Sequence, residues 1–270
     1  MGMKRTDLAL EAHAILSKAR KYEELPGVRT ETKQRGDIRT TVVQVLDAEG
    51  ERAMGKAKGT YVTMELQDCR GRVRAQASAQ LAGHLRKLLP NEGSVLVIGL
   101  GNRGITPDAL GSKTVEALLI TGHLTERFPF FRPVTTLCPG VKGQTGMESL
   151  DVIRGVLDRT RPGCLIAVDA LAAADAARIG RTVQLSDAGI QPGSGVGNRR
   201  AQLDRSTLGV PVFALGVPTV TDLDEAGSGL IVTTADVDAL VSGMAGMLAG
   251  ALNRALQPGL SEEELKEFLL

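Results

Sequence analysis

The rhythm of apolar and polar positions changes along this 270-residue chain. Residues 1–40 are polar and mixed in charge, with helical spacing only from Thr6 to Lys21. Alternation from Arg39 to Leu46 predicts a strand, and Asp47 to Gly50 a turn. Gly59–Leu66 and Val73–Ala79 read as two further strands, followed by a helix near Gln80–Leu89. Beyond residue 90 the alternation stops. Ser94–Leu100, Pro133–Leu137, Cys164–Val168, Thr182–Leu185 and Val210–Leu215 are short continuous apolar runs. Between them, helical spacing covers Asp108–Thr121, Gly146–Thr160 and Ala170–Ile179. Apolar strands alternating with helices indicate a parallel sheet covered on both faces. Residues 234–270 read as helical, divided into two helices by Pro258-Gly259. The expected architecture is α/β: a mainly parallel sheet flanked by helices, with a β-rich extension over residues 39–80 and a helical C-terminus.

Composition narrows the function. Lys and Arg number 32 against 31 Asp and Glu, a net charge of +1, so no bulk basic field exists to hold nucleic acid or an anionic membrane. With no Trp, two Tyr and five Phe, stacking platforms for single strands are not expected. Apolar stretches are interrupted by Gly, Pro or charge short of a membrane span, and the polar N-terminus does not read as a signal peptide. The three cysteines, Cys69, Cys138 and Cys164, are widely spaced and form no CxxC, which points to a reducing, cytosolic compartment and away from structural zinc.

Ligands of open α/β sheets bind beyond the carboxyl ends of the strands. Four predicted strands lead into segments carrying Asp108, Asp169, Asp187 and Asp222, which implies an acidic crevice at one edge. Each aspartate also has a structural explanation: Asp108 and Asp169 precede helical segments and suit N-caps, and Asp187 suits a turn. Asp169, emerging directly from an apolar strand, is the hardest to dismiss. Two desolvated carboxylates close together cannot both ionise easily, so they divide into acid and base. Such a pair activates water without metal or histidine.

Other chemistries fit less well. Gly99, Gly101 and Gly104 match the spacing of a dinucleotide fingerprint, but Pro107 stands where the helix should begin and the acidic ribose ligand is missing. These glycines are read instead as permitting close backbone approach. Residues 192–200 lack the Lys-Ser/Thr ending of a P-loop, and Arg199 and Arg200 read as a solvated helix start. Asp108, Asp169 and His123 make a conceivable metal set, but no paired-histidine spacing supports it. No cofactor and no metal are expected.

Taken together, RTDLALEA (5–12), KGTYVTME (58–65), LVIGLGNRGITPDALG (96–111), RPVTTLCPGVKGQTGMES (132–149), LIAVDALAAA (165–174) and VQLSDAGIQPGSGVGNRR (183–200) resemble the spore germination proteases. LGVPVFALGVPTV (208–220) and IVTTADVDALV (231–241) extend the resemblance over nearly the whole chain. It implies an atypical aspartic endopeptidase that degrades small acid-soluble spore proteins during germination, works as a homotetramer in the spore core, and is made as a zymogen. It also implies catalytic roles for Asp108 and Asp169, and self-cleavage between Leu8 and Ala9, making residues 1–8 a propeptide and residues 9–270 a single peptidase domain. The substrates share an acidic–hydrophobic–Ala sequence, so the zymogen would carry its own substrate mimic. Asn102, Asp187 and His123 are candidate supporting residues.

The chain departs from the family in places. Gly122 replaces the usual Arg before the family's His, Arg103 the usual Trp after GLGN, and the segment from Thr221 to Leu230 is short. A metal-dependent peptidase similar to the hydrogenase-maturation endopeptidases, and a non-catalytic binding protein on the same fold, are the alternatives.

Overall fold

The computed structural model describes residues 6–20, 25–68, 71–197, 200–222 and 230–269. The elements, in order, are α1 (Ala9–Arg20), β1 (Val28–Arg35), β2 (Ile38–Val45), α2 (Ala48–Met54), β3 (Gly59–Leu66) and α3 (Gly71–Leu88). Then come β4 (Val95–Gly99), α4 (Leu110–Glu116), β5 (Val134–Leu137), α5 (Lys142–Thr145), α6 (Ser149–Thr160) and β6 (Cys164–Ala173). The remainder are β7 (Thr182–Ser186), α7 (Arg205–Leu208), β8 (Val212–Asp222), β9 (Ile231–Val232), α8 (Val237–Leu256) and α9 (Glu262–Glu267).

One mixed sheet runs β1-β2-β3-β7-β8-β6-β4-β5, with β9 pairing the end of β8. The α/β class matches expectation. The parallel part is β8-β6-β4-β5, and β1, β2, β3 and β7 join it antiparallel. Helices α3, α4 and α8 bury Leu81, Leu110 and Leu248 against one face with Val97, Ile166 and Leu215. On the other face Ile153 and Leu157 of α6 pack on Leu96, Ile98 and Leu165. Helix α8 is long and apolar enough to cross a membrane by length and composition, yet Val241, Met244, Leu248 and Leu252 lie in the core.

Four expectations are corrected. Val73–Ala79 is helix, the start of α3, with Val73, Ala77, Leu81 and Leu85 on its buried face at spacings of four. Ala170–Ile179 is not a helix: β6 runs on to Ala173, paired with β8 throughout, before a short 3-10 turn at Ala176–Arg178. Pairing with β8 overrides the helical preference of an alanine-rich stretch. Asp47 does not begin a simple turn but caps α2, its carboxylate accepting the Glu49 and Gly50 amides at 2.9 Å each. The polar run Val28–Arg35 is an edge strand, β1, whose side chains past Val28 are exposed.

Candidate active site

Strand alternation places Asp169 on the same face of β6 as Leu165, Ala167 and Leu171. It is 5% exposed, and its carboxylate accepts the Ala170 amide at 3.0 Å. Asp169 therefore caps no helix. Neither does Asp108, which closes a 3-10 turn, Thr106–Asp108, ahead of α4; the cap position of α4 is Ala109. The Asp108 carboxylate turns back and accepts the Asn102 amide at 2.6 Å. This return is possible because Gly101 sits at φ +97°, where a Cβ would stand 2.1 Å from the Asp108 carbonyl oxygen. Gly101 thus permits the close backbone approach expected, as does Gly99 in β4, where a Cβ would stand 2.5 Å from the Gly111 carbonyl oxygen; a Cβ at Gly104 would meet only side chains.

Asp108 and Asp169 line one cavity of about 350 Å³ with Asp7 and Arg200. Burial pushes Asp169 well above the ordinary carboxyl range, and the charges of Asp108 and Asp7 push it the same way; the Ala170 amide and Arg200 oppose them. Burial also raises Asp108, opposed by the Asn102 amide and Arg200. The two environments are unequal, which is the condition for one carboxyl to hold a proton while its neighbour ionises.

Asp7 and Asp169 also line an adjoining cleft of about 530 Å³. Residues 6–9 fasten to its walls. The Asp7 amide donates to the Ala172 carbonyl at 3.0 Å, while the Asp7 carboxylate accepts the Ala172 amide at 2.9 Å and the Ser194 hydroxyl at 2.5 Å. Lys56 Nζ donates to the Asp7 carbonyl at 3.0 Å. Burial lowers the Lys56 pKa, against the raising charges of Asp7 and Glu11. Leu8 is fully buried with Leu171 and Ala173, and Ile190 packs against them. Glu11 anchors the first turn of α1: its carboxylate accepts the Ala174 and Asp175 amides at 2.8 and 3.0 Å, takes the Thr6 hydroxyl, and lies 3.1 Å from Arg178 Nε.

The expected acidic edge is smaller than four aspartates. Strand β7 runs antiparallel to β8, so Asp187 leaves towards the opposite end and accepts the Thr60 amide at 2.6 Å instead. Asp222 is carried past the site to where β8 meets β9. His123 is exposed in the turn before β5, at the amino ends of the parallel strands and away from both aspartates. Asn102 is beside Asp108, its side-chain oxygen accepting the Gly104 amide at 2.8 Å and Gln144 Nε2 at 2.6 Å. Arg200 starts no helix but lines the aspartate cavity; Arg199 lies outside the described residues, as does most of the segment 221–230. Among the described residues, no group of three or more His, Cys, Asp or Glu is arranged to hold a metal.

Sequence reasoning passed over Asp7, Lys56, Gln184 and Ser194. The available signals were the acid before Leu8 in the TDLA string and the lone amide in the apolar TVQL strand.

Two unequally buried carboxyl groups thus share a cavity beside the parallel strands of this α/β protein, with residues 6–9 fastened alongside. Comparison with known proteins gives the family. The germination protease family model matches residues 6–228. Germination proteases of Clostridium tetani and Caldanaerobacter subterraneus are 38% and 37% identical, each over 98% of this chain, covering 99% and 98% of their own lengths. That of Priestia megaterium is 43% identical over 81% of this chain and 63% of its own length. The chain belongs to the germination protease family, and as a member it is a peptidase of spore germination. The Clostridium alignment extends over 320 residues against 270 here, so that relative carries residues this chain lacks. Among solved structures, a NiFe hydrogenase maturation protease from Thermococcus kodakarensis aligns with TM-score 0.39 and 16% identity, over 63% of this chain and 98% of that one.

Proposed function

We propose that this protein is an atypical aspartic endopeptidase that begins the breakdown of small acid-soluble spore proteins, made as a zymogen that cuts itself between Leu8 and Ala9. The observation that carries the reading is the anchoring of Asp7-Leu8-Ala9 beside the cleft that Asp7 and Asp169 both line, with Leu8 buried and the acid held by hydrogen bonds.

Asp169, the more deeply buried carboxyl, holds the proton. Asp108, with the Asn102 amide and Arg200 favouring its charge, is the base. Asp108 takes a proton from water as the water oxygen attacks the Leu8 carbonyl carbon, and Asp169 donates its proton to the carbonyl oxygen. Collapse of the tetrahedral adduct breaks the C–N bond, and Ala9 leaves as the amine with a proton returned from the pair. Both carboxyls titrate as a unit, so these roles describe the dominant proton arrangement.

Intact mass followed over time at mildly acidic pH, for wild type and Asp169→Asn, tests the reading. Loss of residues 1–8 from wild type alone supports it; loss from both, or inhibition by a chelator, refutes it in favour of another catalytic group or a metal-dependent peptidase. A wild type that neither trims itself nor cuts an acidic–hydrophobic–Ala peptide is a binding protein on this fold.

A further inference from the structure

One side chain grips the segment from both sides of Leu8. Gln184 Oε1 accepts the Ala9 amide at 2.7 Å, and Gln184 Nε2 donates to the Asp7 carbonyl at 3.1 Å. Gln184 is 8% exposed. It stands opposite Gly216 on β8, which in turn stands opposite Asp169 on β6, so all three share a row across the sheet. Gln184 is therefore two strands from Asp169, roughly 10 Å along that row and on the same face. Gly216 keeps the row open: a Cβ there would meet Leu171 Cγ at 2.7 Å, and Leu171 belongs to the Leu8 pocket. Gly195 does the same for the acid, because a Cβ there would stand 2.3 Å from Asp7 Oδ2.

We propose that Gln184 is the positioning residue that sets the cleavage register, and that Ser194 and the Ala172 amide read the acid one residue before the cut, when a substrate chain takes the place of residues 6–9. This rests on the reading of those residues as a substrate mimic. A carboxamide presents one donor and one acceptor at fixed spacing, matched here to the carbonyl before Leu8 and the amide after it. A chain slipped by one residue offers neither group in place and loses both hydrogen bonds in a buried setting. The Ala172 amide can only donate, so an Asn must give it the oxygen and turn its NH2 to the Ser194 hydroxyl, which replaces two charge-assisted hydrogen bonds by neutral ones. Lys56, on the Asp7 carbonyl, adds a positive charge that favours an acidic chain.

The self-processed protein and its Gln184→Met and Ser194→Ala variants are given two peptides differing only as Thr-Asp-Leu-Ala and Thr-Asn-Leu-Ala. Gln184→Met should raise KM for the Asp peptide by roughly tenfold or more with a smaller effect on kcat, and should yield products cut at more than one bond. Ser194→Ala should narrow the preference for the Asp peptide. A Gln184→Met protein that cuts only Leu–Ala with wild-type KM overturns the proposal. Amide exchange on the unprocessed full chain needs no activity: Gln184→Met should speed exchange at Ala9 while the melting temperature of the whole changes little, and unchanged exchange overturns the grip. Wild-type protein that cleaves neither peptide nor itself sinks the protease reading and the subsite with it, whereas an active wild type with an indifferent Gln184 sinks the subsite alone.

Discussion

The Leu8 carbonyl accepts the Ala12 amide at 3.0 Å, so the peptide bond proposed for cleavage is also the one at which helix α1 begins. A protease attacks an extended chain, and the carbonyl to be attacked is here committed to a helical turn. That turn must open first. Replacing Ala12 with Gly weakens the helix by about 1 kcal/mol and should speed self-cleavage about fivefold, read as the rate of mass loss. An unchanged rate would show that opening the turn does not limit processing.

Asp169 and Asp108 are each irreplaceable on this mechanism. Asp169→Asn and Asp108→Asn preserve shape and acceptor oxygen but remove the titrating group, so each should lower peptide cleavage by at least about 100-fold. Full activity in either variant would end the paired-carboxyl mechanism.

The same burial makes Asp169 a stability sensor. Its folded pKa is raised, so the folded state binds the proton more tightly than the unfolded chain. The stabilisation is present in full below the ordinary aspartate value and is lost as pH climbs from there towards the raised one. Asp169→Asn, always neutral, should therefore melt roughly 2 °C or more above wild type at pH 7, and the gap should close as pH falls towards the ordinary aspartate range. Thermal unfolding across pH checks this; a variant less stable than wild type at pH 7 would contradict it.

Gly101→Ala should damage the site without touching a titratable group. A side chain at φ +97° is strained and its Cβ collides with the Asp108 backbone. A loss of about 2 kcal/mol in stability and of 10- to 100-fold in activity is expected, the latter from misplacing Asp108 by about an ångström. Denaturant titration beside a peptide assay measures both.

Much of this site was legible in the sequence, because the rule that ligands gather at strand ends needs only strand positions. It brings up Asp108 and Asp169 among four aspartates, and the family resemblance picks out the two. The same rule misleads at Asp187, since apolar runs do not record strand direction and β7 is antiparallel to its neighbour. Composition misleads at Ala170–Ala173, where alanines read as helix although pairing with β8 makes them strand. In α3, Val-x-Ala-x-Ala spacing satisfies a period of two as well as four over a few residues. Gln184 is illegible for a simpler reason: its partners, Asp7 and Ala9, lie some 175 positions away, and only folding brings them together.

Asp7 gives the cut a direction. Its charge is one of two that hold Asp169 protonated, and it lies on the eight residues that a break after Leu8 sets free. Under the proposed self-cleavage, departure of the fragment changes the charge around Asp169, which keeps its burial and Asp108 as a neighbour but loses Asp7, so that its proton is held less tightly. A substrate arriving with its own acid in that place restores the lost charge while it is bound and carries it off when it leaves. On the proposed self-cleavage, each incoming acidic chain would reset the proton held at Asp169.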